Sequence, residues 1–235
     1  MGPKLVPFFK TVALFFILFD GDYIESSILY SIFKCLPIVS LIVFVLLHGM
    51  DFSDAYDYSR RIMIGLMLSC VGDICMVYKA HGYFIPGVAF FAGAQAMYSL
   101  AFGFKPLKLY VGGIVCAIGS IVFSLLLPGF MGVMKLVGFI YTVLIMTMLW
   151  RAIARVRLYN NMWTWTSMCS CLGAIAFVIS DTLIAFNRFR FSIGGAEVLI
   201  MVTYYAGQLG IALSVVDSQV DTLLEKTKPK ETKVQ

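Results

Sequence analysis

Eight apolar runs, each roughly 18–24 residues long, follow one another along this chain of 235 residues with only short charged breaks between them. A helix rising about 1.5 Å per residue crosses a hydrocarbon layer about 30 Å thick in that length. The expected fold is therefore all-α: a polytopic membrane protein of eight transmembrane helices. Composition agrees, because 60% hydrophobic residues, 13% charged residues and a mean hydropathy of +0.90 leave too little polar surface for a water-soluble domain.

The runs fall at 4–20, 28–48, 60–78, 84–104, 109–128, 131–152, 163–187 and 193–216. A single transmembrane domain is expected over 1–216, followed by a flexible, polar, lysine-rich tail over 217–235. Lys4 and Lys10 flank the first run, and no small-residue cleavage pattern follows Phe19, so that span is expected to stay. With the amino terminus in the cytosol, that side collects Lys4, Arg60, Arg61, Lys105, Lys108, Arg151, Arg155, Arg157 and the four tail lysines. The other side holds only Lys79, Lys135, Arg188 and Arg190. By the positive-inside rule both termini are cytosolic, and the acidic loop from Asp20 to Glu25 lies outside.

The formal charge of +5 follows from this sidedness and implies no nucleic-acid partner. The six cysteines all fall within spans, where they pack as small apolar residues. With two histidines and a Cys169-Ser-Cys171 spacing unsuited to zinc, no metal site is expected.

An ionisable side chain at membrane depth costs about 2.5–3.5 kcal/mol on insertion scales, so its presence invites a functional reading. Asp73 lies six residues before Lys79 and Asp181 seven before Arg188, which puts each acid roughly 9–10 Å inside the outer boundary by helix rise. Their helices run the same way, so both carboxylates belong to one layer. Lys34 enters that layer from span two and is placed to pair with one of them. Glu197 lies nearer the surface and is expected to snorkel or to meet Arg188 or Arg190. The plainer alternative is that Asp73 and Lys34 form a structural pair while Asp181 binds a neighbouring hydroxyl such as Ser180.

Gln95 and Tyr98 lie a helical turn apart in span four, and Tyr204 and Gln208 repeat that spacing in span eight. Each pair follows an aspartate span, with Gly72-Asp73 and Ser180-Asp181 in corresponding positions. The pattern hints at a four-plus-four repeat, with a small residue before each acid to let backbones approach.

In these residues the chain resembles the lysoplasmalogenase or YhhN-like membrane proteins, whose vertebrate members are called transmembrane protein 86. The resemblance runs from about residue 31 to 216. It is carried by Lys34-Cys-Leu-Pro37, Gly72-Asp73, Gly87 through Tyr98, Gly173 through Phe186, and Tyr204-Tyr205-Ala-Gly-Gln208. Tail and loops look most like the vertebrate branch. Gln95 stands where many bacterial relatives carry histidine, which weakens any mechanism needing an imidazole there. The resemblance implies an enzyme of the endoplasmic reticulum membrane that hydrolyses the vinyl ether bond of lysoplasmalogens without a redox cofactor. Its partners would be a lysophospholipid, water and membrane lipids.

Vinyl ethers resist bases and yield to acid, because protonating the β carbon gives an oxocarbenium ion that water captures. A carboxylic acid walled in by apolar helices keeps its proton near neutral pH and can act as the donor. A second, ionised carboxylate stabilises the cation and deprotonates water, as in glycoside hydrolysis. Asp181, among Ile179, Leu183 and Ile184, is the expected acid, and Asp73, beside Lys34, the expected base. Lys34, Gln95, Tyr98, Ser180, Tyr204, Tyr205 and Gln208 are the expected supporting residues, with Arg188 and Arg190 either headgroup ligands or interfacial anchors. The rival is a proton-coupled transporter or lipid-responsive channel. Against it, Pro37, Pro86 and Pro106 are placed near span ends or first turns.

Overall fold

The computed structural model describes residues 2–19, 24, 26–48, 56–156 and 165–216. These form α1 (Gly2–Phe19), α2 (Ile28–Leu46), α3 (Asp57–Val77), α4 (Phe84–Phe102), α5 (Leu109–Leu126), α6 (Met134–Arg155), α7 (Trp165–Phe189) and α8 (Ala196–Leu213), with short 3₁₀ turns at Lys79–His81 and Leu127–Gly129. The described residues contain no strand. The acidic loop residues Asp20 and Glu25, the cation Arg157 and the tail 217–235 lie outside the described residues.

Seven helices are long and apolar enough to cross a membrane. The eighth, α3, has 21 residues but carries Asp57, Arg60, Arg61 and Asp73. Asp57 offsets one of the two arginine charges at its first turns, where it lies 3.1 Å from Arg60 and 2.6 Å from Arg61. The chain is an all-α, polytopic membrane protein, and each expected span has its helix within a few residues. Side chains such as Ile17, Ile28, Leu109, Ile121 and Leu172 point outward and are largely exposed, as a lipid-facing surface requires.

Packing between the helices follows the order expected of two four-helix halves. α1 packs on α2 as α5 does on α6; α2 on α3 as α6 on α7; and α3 on α4 as α7 on α8. Across the halves, α2 meets α8 and α4 meets α6. Arg151 of α6, fully buried, donates to the carbonyls of Gly103 (2.6 Å) and Pro106 (3.0 Å) and so ties the α4–α5 connection to the core.

Pro37 corrects one expectation, since it stands inside α2 rather than near an end. Proline leaves the carbonyl four residues earlier without its helical donor. One position further on, the Lys34 carbonyl accepts the Tyr205 hydroxyl of α8 at 3.0 Å. A neighbouring helix thus hydrogen-bonds α2 beside the interrupted turn. The part of the proline-based objection to a transporter that rested on Pro37 therefore falls, while the aspartate helices α3 and α7 contain no proline.

Candidate functional site

Asp73 is 2% exposed on the inner face of α3 and is held from two other helices. One carboxylate oxygen lies 3.5 Å from the Lys34 ammonium of α2. The other accepts the Tyr204 hydroxyl of α8 at 2.5 Å. The sequence makes room for this arrangement at Gly72, where a Cβ would come within 2.9 Å of the Phe91 ring of α4. Depth had placed Lys34 to pair with one of the two acids, and the acid it meets is Asp73.

Asp181 of α7 is surrounded differently. Its carboxylate accepts the hydroxyl of Tyr141 from α6, and it forms no ion pair among the described residues. Beside Tyr141 sits Gln95 of α4, fully buried. Ser180 turns away from the acid and donates to the Ile200 carbonyl at 3.0 Å, fastening α7 to α8. Tyr98 donates to Gln208 Oε1 at 2.9 Å, with Ser69 3.5 Å from the same phenol.

Both carboxylates open into one cavity of about 320 Å³. Lys34, Asp73, Asp181 and Tyr204 line it, together with the apolar Met76, Phe91, Ile184, Ile200 and Met201. Gln95, Tyr98, Ser180, Tyr205 and Gln208 lie behind this wall and do not line it. Toward the ends of α3 and α7 and the start of α8, the lining becomes charged with Lys79, Arg188 and Glu197. Glu197 accepts the Tyr30 hydroxyl at 3.4 Å and forms no ion pair with Arg188 or Arg190 among the described residues. Arg190 is not part of the lining.

Tyr141 is the residue that sequence reasoning missed. It bears no charge at neutral pH, so the cost of burying charge did not flag it among twelve tyrosines. The available signal was the repeat, because Tyr141 stands to Asp181 as Lys34 does to Asp73, with nearly the same residue separation. Among the described residues, no three His, Cys, Asp or Glu side chains gather as a metal site requires. The arrangement offers two acids with unlike partners in a mostly apolar chamber, which suits them to donate and to accept a proton within one reaction.

The chain is 40% identical to lysoplasmalogenase TMEM86A of Homo sapiens over 93% of its own length and 90% of that protein's. It is 36% identical to lysoplasmalogenase TMEM86B of Sus scrofa, over 93% and 88% respectively. A lysoplasmalogenase homolog of Dictyostelium discoideum is 28% identical, over 82% and 80%. No solved structure matches. The model of the YhhN family matches residues 29–215, which include both aspartates and every residue of the cavity, and the chain belongs to that family.

Proposed function

We propose that this protein is a lysoplasmalogenase, hydrolysing the vinyl ether of a lysoplasmalogen to a fatty aldehyde and glycerophosphoethanolamine or glycerophosphocholine. The observation that carries the reading is the shared cavity in which one carboxylate faces a cation and the other only a phenol. The names of the relatives supply the reaction class.

In this reading Asp181 is the acid and Asp73 the base. Asp181 delivers its proton to the β carbon of the vinyl ether, and the adjacent carbon becomes an oxocarbenium ion beside the Asp73 carboxylate. Water adds to that carbon and loses a proton to Asp73, giving a hemiacetal. As the hemiacetal collapses, Asp181 takes its hydroxyl proton and Asp73 returns its own to the departing glycerol oxygen. Both acids end as they began, and neither a cofactor nor a net proton is consumed. Lys34 and the Tyr204 hydroxyl hold Asp73 in its charged form between turnovers. We place both termini in the cytosol, on the distribution of its lysines and arginines, and the protein in the endoplasmic reticulum membrane, on its family resemblance.

The test is aldehyde release by purified, detergent-solubilised protein from an alkenyl lysophospholipid, with an acyl lysophospholipid as control. Release from the former alone is expected. Asp73→Asn and Asp181→Asn should each lower turnover by about 10²–10⁴-fold while remaining extractable and folded. Full activity in either variant sinks the two-carboxylate mechanism. Pro37, three residues from Lys34 within α2, keeps a second reading as a proton-coupled transporter alive. Proton-driven uptake in liposomes, with no aldehyde release from either lipid, would favour it.

A further inference from the structure

Two of the six cysteines stand where they can do more than fill space. Cys35 follows Lys34 on α2, and Cys70 precedes Asp73 by about one helical turn on α3, so the two thiols flank the Lys34–Asp73 pair on both of its helices. Cys35 Sγ lies 3.7 Å from the Cys70 carbonyl oxygen, and the two side chains meet where α2 packs on α3. Both are free thiols, and neither lines the cavity.

The approach to this pair is from lipid. Cys35 is buried, but Cys70 is partly exposed and shares a face of α3 with Met67, Val71 and Ile74, which are exposed on the outside of the bundle. Nine residues before Lys79, Cys70 lies about 13 Å inside the outer boundary by helix rise. A hydrophilic oxidant partitions poorly to that depth, whereas a hydroperoxide carried on a lipid chain dissolves there. An accessible thiol with a second thiol behind it is the arrangement that oxidises on to a disulfide.

We propose that Cys35 and Cys70 are a modification site, oxidised by lipid hydroperoxides to a disulfide that displaces the Lys34–Asp73 pair and reversibly slows turnover. The terminal oxygen of the peroxide passes to Cys70 as the O–O bond breaks, giving a sulfenic acid and the lipid alcohol. Cys35 then attacks that sulfur, the S–S bond forms, and the hydroxyl leaves as water with the Cys35 proton. Two thiols and one hydroperoxide give one disulfide, one alcohol and one water. A covalent bond needs a closer approach than contact between two thiols, so α2 and α3 must draw together beside Lys34 and one turn from Asp73. A displacement of about 1 Å at such a group costs up to about 10²-fold in rate. The effect on turnover rests on the hydrolase reading above, and the disulfide itself does not.

The test treats the purified full chain in detergent with cumene hydroperoxide, a lipid-soluble probe, and blocks the remaining thiols with N-ethylmaleimide. Digests are then mapped by mass without reductant, and a cross-linked Cys35–Cys70 peptide is expected. Aldehyde release from the alkenyl lysophospholipid should fall about 10–100-fold and return on adding dithiothreitol. Cys70→Ala should keep the untreated rate and lose the sensitivity to peroxide, and Cys35→Ala should abolish the cross-link as well. Cys116→Ala, at an exposed position on α5, should respond as the unaltered protein does.

Absence of the Cys35–Cys70 peptide from the treated protein overturns the proposal. Full turnover by the cross-linked protein overturns it too, as does an equal loss of rate in Cys70→Ala. Because the cross-link is read by mass, its formation in a chain that releases no aldehyde supports the thiol pair as a modification site and refutes the hydrolase reading alone.

Discussion

In the first half of the bundle the aspartate meets an ammonium; in the second, the equivalent aspartate meets a phenol. The halves also differ in how their paired helices touch. Where α3 meets α4, Gly65 faces the Tyr98 ring and Gly72 faces the Phe91 ring. At the corresponding places between α7 and α8, Gly173 faces the backbone of Gly207, and Ser180 donates to the Ile200 carbonyl. One half is therefore spaced by aromatic side chains and the other by backbone against backbone. A shared scaffold with unlike fillings gives two identical carboxyl groups different surroundings.

The largest effect that would break this contrast comes from Lys34→Met. It removes the cation and leaves Asp73 buried with only the Tyr204 hydroxyl, at an expected cost of about 3–5 kcal/mol in stability. Thermal unfolding in detergent measures it. A variant as stable as the parent would show that the ion pair does not set the two acids apart.

Gly207→Ala comes next. Its Cβ would stand 2.9 Å from the Phe177 backbone nitrogen, and no side-chain change can relieve that contact. The expected loss is about 1–3 kcal/mol. Gly65→Ala meets the Tyr98 ring at its nearest contacts, so its loss and that of Tyr98→Ala should sum to less than additive in the double variant. An equal shortfall between Gly207→Ala and any neighbouring side-chain truncation would erase the distinction between the halves.

The smallest effects concern the two phenols. Tyr141→Phe removes the one hydrogen bond that Asp181 makes among the described residues, and kcat is expected to fall about tenfold, worth about 1.4 kcal/mol. Tyr204→Phe leaves Asp73 its lysine, and the fall should be only about threefold. Steady-state rates on the alkenyl lipid separate the two, and a reversed order would exchange the roles assigned to the acids.

Much of this was legible in the chain because depth in a membrane is a one-dimensional quantity that residue counting yields. The eight helices, the common layer of Asp73 and Asp181, and the approach of Lys34 all follow from it. Direction around a helix axis is harder to read. Ser180 was expected near the acid beside it, yet it points to α8. Tyr205 was expected in the site, yet its hydroxyl goes to the Lys34 carbonyl of α2. Gln95 was expected to support the site directly, but it stands one layer back, beside Tyr141. Neutral residues carry no penalty large enough to betray their surroundings, so the phenol on Asp181 emerged only from the packing.

The cavity's position at the ends of α3 and α7, with charge at its mouth and apolar walls within, also bears on the direction of flux. On the proposed chemistry the two products have opposite solubilities. The aldehyde remains in the lipid phase, and the glycerophosphoryl fragment escapes to water past Arg188 and Glu197. Partition between phases then keeps the fragments from meeting again, and the reaction runs forward by dilution as well as by bond energy.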